Sequence, residues 1–202
     1  MIALQRVGGP VVEPVTASNV KLYTRVSGAT EDALITTWIK SAREKAELYL
    51  RQSFITQSWC LTLNAFPSDT ESIYLPRGPL QDVISITYLD TNNTEVDMYT
   101  YGTTTSEGNI PIIVDTHSST VRLAQDQEWP DLGTDVELNS VKITYQTGYG
   151  DAATDLPAFI ADAIYVYCAY RYENRLGETD VIPRVFYHIL ESSDERHFCG
   201  LH

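Results

Sequence analysis

The residues of this 202-residue chain that could do chemistry are few, and one group lies near the C-terminus. His197, Cys199 and His202 are residue types that bind zinc, and Cys168 could be a fourth ligand. Their spacing is not that of a known zinc site, and no closely spaced pair of cysteines supports one. We therefore expect no metal site and interpret the segment as a frayed terminus.

A second group consists of acidic residues whose carboxylates could coordinate calcium. Its members are Asp126, Glu128, Asp131, Asp135 and Glu137. Calcium loops of the EF-hand type need the spacing D-x-[DN]-x-[DN]-G, which this stretch lacks. The default interpretation is a solvated acidic loop, and the more specific alternative is a loop that faces a channel or a partner.

Two further features could indicate phosphate binding or catalysis. Gly148-x-Gly150 lacks the third glycine of a dinucleotide fingerprint and the Gly-Lys-Ser/Thr of a P-loop, so it predicts a turn. His117 and His188 have no neighbour that resembles a paired nucleophile, and neither G-x-S-x-G nor H-E-x-x-H is present. The sequence therefore predicts a protein that is not an enzyme and needs no cofactor.

The charge of the chain limits its partners. Lys and Arg total 14 against 27 Asp and Glu, a formal net charge of -13. A general nucleic-acid binder needs a basic surface, so this class is disfavoured, although a wall along which DNA must slide should repel it. No apolar run approaches the ~18 residues of a membrane span or forms the core of a signal peptide. We expect no membrane, and reduced cysteines in a cytoplasmic product.

The elements that would position these residues begin with helices. A short helix is predicted at 16–26, followed by a long one at 30–51 with Thr30 as its cap. Apolar residues recur in the long helix at three- and four-residue steps, which indicates one buried stripe. Charged residues occupy its other faces, namely Lys40, Arg43, Glu44, Lys45 and Glu47.

A second long helix is predicted at 156–175. Asp155 is a good N-cap for it, and Pro157 suits its first turn. The helix is apolar on almost every side, which predicts burial all round, against its own domain and a second subunit. Four of its tyrosines are candidates for the core or for a subunit interface: Tyr165, Tyr167, Tyr170 and Tyr172. The predicted helical core consists of Ile35, Trp38, Ile39, Ala42, Ile160, Ile164 and Tyr167.

Between the long helices, the pattern changes to short runs that predict seven strands, at 58–66, 72–75, 83–89, 96–101, 110–114, 121–124 and 141–146. The fold class is therefore α+β: a helical core with a β-rich antiparallel insertion between the two long helices. We expect a single domain with five segments. They are an N-terminal arm at 1–15, a helical segment at 16–53, the β-rich insertion at 54–147, a helical segment at 148–177 and a C-terminal arm at 178–202.

Four stretches of sequence are informative when they are taken in order. They are VKLYTRV; DALITTWIKSAREKAELYLRQSF; the strand segments IYLPRGPLQDVISITYLD and QEWPD; and GYGDAATDLPAFIADAIYVYCAYRYENR. Together they resemble the head–tail connector (adaptor) family of tailed bacteriophages. No motif is specific by itself, because none contains catalytic or ligand-binding residues. The resemblance depends on the order and spacing of the four stretches. The four stretches span most of residues 16–175, whereas the loop 102–109 and the tail after Leu190 take no part in the resemblance, and their roles stay open.

The resemblance implies a structural virion protein that forms a ring, of about twelve copies, at the neck of the particle. Such a ring joins the portal vertex to the tail, extends the channel for passing double-stranded DNA, and offers a surface to a stopper, head-completion or tail protein. It would be assembled in the host cytoplasm. Alternatives are a stopper or head-completion protein, which are smaller and β-rich, and a soluble enzyme or ligand-binding protein with an acidic cleft.

The C-terminal arm is the candidate for gripping the portal protein. It contains Leu176 and Pro183, followed by a short apolar run of Val185, Phe186, Ile189 and Leu190. We expect this run to become ordered on binding, as a partly disordered arm would.

Overall fold

The computed structural model describes residues 3–102, 110–133, 140–175 and 182–192, which fall into two compact units. The β-rich unit comprises Met1–Pro10 and Thr56–Tyr149, and the helical unit comprises Val11–Ile55 and Gly150–His202. The described residues form helices and antiparallel sheets, so the predicted α+β class is confirmed.

The β-rich unit contains two antiparallel sheets. Its strands are β1 (Ala3–Gly8), β2 (Gln57–Leu63), β3 (Ile73–Tyr74), β4 (Leu80–Leu89), β5 (Glu95–Thr100), β6 (Ile112–Asp115), β7 (Thr120–Leu123) and β8 (Val141–Thr147). The larger sheet has the order β1-β2-β8-β4-β5, and the smaller has the order β3-β7-β6. The sequence predicts β2 to β8 at similar positions, but it indicates only an arm where β1 pairs with β2.

The core of the β-rich unit follows from the alternation of side chains along its strands. In β8, Val141, Ile143 and Tyr145 are fully buried, whereas Lys142 between them is exposed. The hydroxyl of Tyr145 donates a hydrogen bond of 2.9 Å to the carbonyl of Pro76, and burial raises the pKa of this phenol well above its ordinary value. A buried phenol with a satisfied donor is a stable core group.

The helical unit is built from four helices among its described residues. They are α1 (Ala17–Thr24), α2 (Asp32–Leu50), α3 (Ala158–Glu173) and α4 (Arg184–Ser192). Helices α2 and α3 pack against each other, and each also packs against α1 and α4. All seven residues predicted for the helical core are buried, so this prediction is confirmed.

The beginnings of the long helices differ from the prediction. The cap position of α2 is held by Glu31 rather than Thr30, and its side chain makes no capping bond. Asp155 lies in a short 3-10 turn before α3, where its carboxylate accepts a 2.9 Å hydrogen bond from the Ala152 N–H. Because Asp155 turns back to this earlier N–H, Pro157 occupies the cap position of α3.

The burial of α3 tests one half of its prediction. Ile160, Ala163, Ile164, Tyr167 and Cys168 are buried, but Asp162 is exposed and the remaining apolar residues are mostly half-buried. The helix is therefore buried on one face within a single chain, as predicted for contact with its own domain, and burial of another face against a second subunit stays a prediction. Apolar composition alone does not determine how many sides of a helix its own chain can cover.

The largest correction in the helical unit concerns Arg43 and Glu47, which the sequence assigns to solvent-facing positions. Arg43 is only 2% exposed, and Glu47 is also buried. The Arg43 Nη1 atom bonds Glu47 at 2.9 Å, and its Nε and Nη2 atoms bond Glu13 at 2.7 and 3.2 Å. The second carboxylate oxygen of Glu47 accepts the N–H of Phe54 at 3.1 Å. We call Glu13, Arg43 and Glu47 the buried ion cluster.

The Arg43 guanidinium stays charged although it is buried. Desolvation by itself would lower the pKa of the Arg43 guanidinium, but hydrogen bonds and charge from Glu13 and Glu47 outweigh it and raise this pKa. A buried charge is tolerated when partners satisfy its hydrogen bonds, and the loss of one partner leaves the others uncompensated.

Replacement of Arg43 should therefore destabilise the protein strongly. We expect Arg43→Met, which keeps much of the side-chain volume, to lower the free energy of unfolding by about 3–5 kcal/mol, because two carboxylates lose their cation. Urea denaturation measures the change. The matched control is Lys40→Met on the exposed side of the same helix, which should change the free energy by less than about 0.5 kcal/mol. Equal effects of the two substitutions would contradict the structural role of the cluster.

Candidate interaction surfaces

The described part of the acidic loop is held by an aromatic stack. Trp129 lies parallel to Phe66, with ring centroids 4.6 Å apart, and its backbone N–H donates to the Asp69 carboxylate at 2.9 Å. Asp126, Glu128 and Asp131 are all exposed around this anchor. Asp135 and Glu137 lie outside the described residues. The anchored stretch can therefore present its carboxylates to solvent or to a partner.

Negative charge is concentrated in the β-rich unit. Thirteen acidic and four basic residues fall within its bounds, so it carries most of the net charge of -13. The four helices carry six acidic and six basic residues and are balanced. The two units therefore present different electrostatic surfaces to a polyanion or to another copy of the chain.

The four candidate tyrosines of α3 have different environments. Tyr167 is buried, lies next to Phe186, and its hydroxyl is 3.2 Å from that of Ser41. Tyr165 is half-buried and stacks on Tyr23 of α1, with ring centroids 5.4 Å apart. Tyr170 and Tyr172 are also half-buried, and Tyr172 contacts Trp38 edge-on at 6.4 Å. Within the chain, Tyr167 is a core residue, whereas Tyr165 lies at the margin of an accessible surface.

The candidate portal-binding residues are divided between the core and the surface. The apolar run that was expected to order only on binding forms α4, and its Phe186 and Leu190 are fully buried in the helical unit. They are four residues apart and therefore lie on one face of α4, and this helix packs against α3. Val185 is 48% exposed, Pro183 and Ile189 are half-buried, and Leu176 lies outside the described residues.

The end of α3 is fixed to the beginning of α2 by an ion pair. The two terminal nitrogens of Arg175 bond the two carboxylate oxygens of Glu31 at 2.6 and 2.9 Å. The guanidinium also lies over the ring of Tyr172, 4.6 Å from its centroid. The hydrogen bond from Arg175 is the main reason that the pKa of Glu31 lies below its ordinary value. This bidentate pair positions the last described turn before residue 176.

The described residues offer little for metal chemistry or catalysis. Within ranges 3–102, 110–133, 140–175 and 182–192, no three His, Cys, Asp or Glu side chains converge as metal ligands would. His197, Cys199 and His202 lie outside these ranges. Burial raises the pKa of the Cys168 thiol to about 12, so it is an inert core group. No helix in the described part of the chain is long and apolar enough to cross a membrane.

The turn at Gly148 and Gly150 serves the backbone. Gly148 has a φ of 135°, which favours glycine, and its N–H donates to the carbonyl of Pro79 at 2.9 Å. A Cβ on Gly150 would lie 2.2 Å from the Asp155 carboxylate. The predicted turn between β8 and α3 is therefore confirmed. Gly150 is needed in this turn because Asp155 packs too closely to leave room for a side chain.

A family model described as "Phage gp6-like head-tail connector protein" matches residues 15–122, more than half of the chain. The chain therefore belongs to this family of phage head–tail connector proteins. The match includes the buried ion cluster's Arg43 and Glu47, and it ends before the acidic loop and α3. The family is one of structural neck components, in agreement with the resemblance recognised in the sequence.

Solved structures share the fold along nearly the whole chain. A chain from the neck of an empty gene transfer agent particle, computed with C6 symmetry, matches with a TM-score of 0.71 and 19% identity, covering 94% of both chains. A chain from the virion of the native particle gives 0.69 and 19%, and one from the native neck with C12 symmetry gives 0.67 and 18%; both matches cover 94% of this chain and 93% of the other. No curated protein matches the chain.

The ion pair between Glu31 and Arg175 should make the end of α3 sensitive to acid. Because the pKa of Glu31 is lowered in the folded state, the stabilisation is present above the unfolded value and is lost as the pH falls through the folded value. We expect smaller protection factors, meaning amide hydrogen exchange closer to its intrinsic rate at the same pH, at residues 170–175 in Glu31→Gln at pH 7 and in the unaltered protein below about pH 4. Glu44→Gln, on the exposed side of α2, is the control. Unchanged exchange in Glu31→Gln would contradict the proposed fixation.

Proposed function

We propose that this protein forms a homo-oligomeric ring at the virion neck, where it joins the portal vertex of the head to the tail and extends the DNA channel. The observation that carries the proposal is membership of the phage head–tail connector family. The fold shared with chains of gene transfer agent necks over 94% of the sequence supports the same location. Twelve copies is the number we propose, in line with the C12 symmetry used for one of those necks.

The proposed role is structural and non-enzymatic. The exposed acidic side chains belong to a loop anchored by an aromatic stack, and they do not line a described metal cluster. An arrangement of this kind can provide a surface but supplies no paired acid and base. The partners we propose are other copies of the chain, the portal protein, and a stopper, head-completion or tail protein. Assembly would take place in the host cytoplasm.

The charge of the β-rich unit supports a channel through which DNA passes without sticking. Thirteen acids against four bases, repeated around a ring, would produce a strongly negative surface. The loop with Asp126, Glu128 and Asp131 would face this channel or the next neck component. Salt screens such repulsion over about 8–10 Å, so a moderate ionic strength should favour assembly.

The exposed side of α4 and the residues around it are our candidate for portal binding. Phe186 and Leu190 would support the helix from inside, while Val185 would contact the portal protein. Leu176, which lies outside the described residues, stays a candidate from the sequence. Truncation at Gly177 would remove α4 and uncover Tyr167, so it would damage the helical unit itself. Substitutions on the exposed side, such as Val185→Glu, test portal binding without removing core packing.

Deletion of the gene from the phage or prophage that carries it tests the neck assignment. We expect electron microscopy of lysates to show DNA-filled or emptied heads apart from finished tails, because the two cannot be joined without a connector. Adding the purified protein to such a lysate should restore joined particles. The Val185→Glu variant should restore fewer, whereas Val7→Glu, which changes an exposed valine of the β-rich unit, should act as the unaltered protein does. Normal, infectious particles after deletion would overturn the proposed function.

A further inference from the structure

The distribution of charge indicates which part of one copy can contact another. Identical copies repel each other most where their β-rich units approach, because that unit has thirteen acidic residues and only four basic ones. The four helices have equal numbers of both signs. A contact between copies is therefore electrostatically most favourable through the four helices, whose charges balance.

The first of two accessible apolar patches on this unit lies on α1 and α3. Leu22 is 83% exposed and Tyr23 is 50% exposed. The ring of Tyr23 stacks on the half-buried Tyr165, so the aromatic surface is held in place. Arg25 is exposed directly after α1, with a left-handed backbone of φ 57°. We call Leu22, Tyr23 and Tyr165 the α1 patch.

The second patch lies on α2 and α4. Leu48 is 66% exposed and Tyr49 is 42% exposed. The Tyr49 ring contacts Tyr187 at 4.8 Å, and its hydroxyl donates to the carboxylate of Glu191. This hydrogen bond to an acceptor is the main reason that the pKa of Tyr49 is raised. We call Leu48, Tyr49 and Tyr187 the α2–α4 patch, and Glu191 lies at its margin.

The two patches suit each other in polarity. Each combines an exposed leucine with an ordered pair of tyrosines, which are residues that interfaces favour because the ring is apolar and the hydroxyl can stay wet. Arg25 borders the α1 patch, whereas exposed charges of both signs, Glu44, Lys45 and Glu191, border the α2–α4 patch. Two copies that joined unlike patches would offer Arg25 carboxylate partners beside the Lys45 ammonium. Two copies that joined through their α1 patches would instead bring two arginines together.

A ring of more than two copies needs two different faces on every subunit, since the contact is head-to-tail. We propose that the α1 patch of one copy docks on the α2–α4 patch of the next copy. The inference rests on the proposed ring and specifies the surface that closes it. Each interface then consists of one α1 patch and one α2–α4 patch from neighbouring copies. A substitution that disrupts either patch should therefore stop growth of the ring.

Two exposed leucines allow a sharp test by mixing. The conditions, including protein concentration and any portal protein, are first set so that the unaltered chain forms rings in sedimentation velocity runs. Under the same conditions, we expect Leu22→Glu and Leu48→Glu each to prevent assembly. An equimolar mixture should form dimers and nothing larger, because only one intact pair of patches remains. Val7→Glu, on the exposed strand β1, is the matched control and should form rings. Circular dichroism checks that each variant is folded, as expected for side chains that are largely exposed.

Photo-cross-linking then identifies the faces directly. With p-benzoylphenylalanine in place of Leu22, irradiated particles or rings should yield adducts between copies that map to the peptide containing Leu48 and Tyr49, or to Tyr187. Adducts from α1 to α1, adducts to the portal protein alone, or no adduct between copies would overturn the proposal. So would rings that still form in either single variant. If gene deletion leaves normal particles but the mixing pattern holds, the neck function fails and the interface survives.

Discussion

The helical unit depends on one guanidinium that is removed from water. Arg43 joins Glu13, which precedes α1, to Glu47, one turn further along α2. Glu47 in turn accepts the N–H of Phe54, which follows the end of α2 and is itself fully buried. A single cation thus fixes the entry of the chain into the unit and its departure from the first long helix. Burial of ions contributes little net stability, but it strongly penalises arrangements in which a partner is missing.

This cluster gives a physical reason for the A-R-E-x-A-E centre of α2. Ala42 and Ala46 are fully buried, and their small side chains allow close packing beside the long side chain of Arg43. Arg43 and Glu47 are spaced by one helical turn, so their charged groups meet. Glu44, between them, is exposed and lies 3.8 Å from the guanidinium. A sequence pattern that contains no catalytic chemistry is therefore explained by the packing of a single buried side chain.

The sequence predicts elements better than environments. Alternation locates seven strands and periodicity locates three helices, because each pattern reports which face is buried. Strand β1 is missed because it lies at a sheet edge and four of its six residues are exposed, so no alternation results. Arg43 is assigned to solvent because composition counts it as charged, and its partner Glu13 lies thirty residues away. The burial of Phe186 and Leu190 likewise depends on α3, which local sequence cannot reveal.

The candidate surfaces show the same division. Single residues such as Tyr167 could not be assigned to core or interface from α3 alone, since a helix that is apolar on most sides gives no preferred face. The deciding contacts, with Ser41 and Phe186, come from other helices.

Charge, by contrast, is already present in the sequence, but its meaning depends on the fold. The total of -13 disfavours both self-association and binding to DNA. Most of the acidic excess lies in the β-rich unit, and the four helices carry equal numbers of acidic and basic residues, so the two effects separate. Electrostatic repulsion between exposed charges decays over about 8 Å at physiological ionic strength, so only the charges within that distance of a contact between copies oppose it appreciably. A chain of this kind can repel a polyanion with one unit and associate with its own copies through the other.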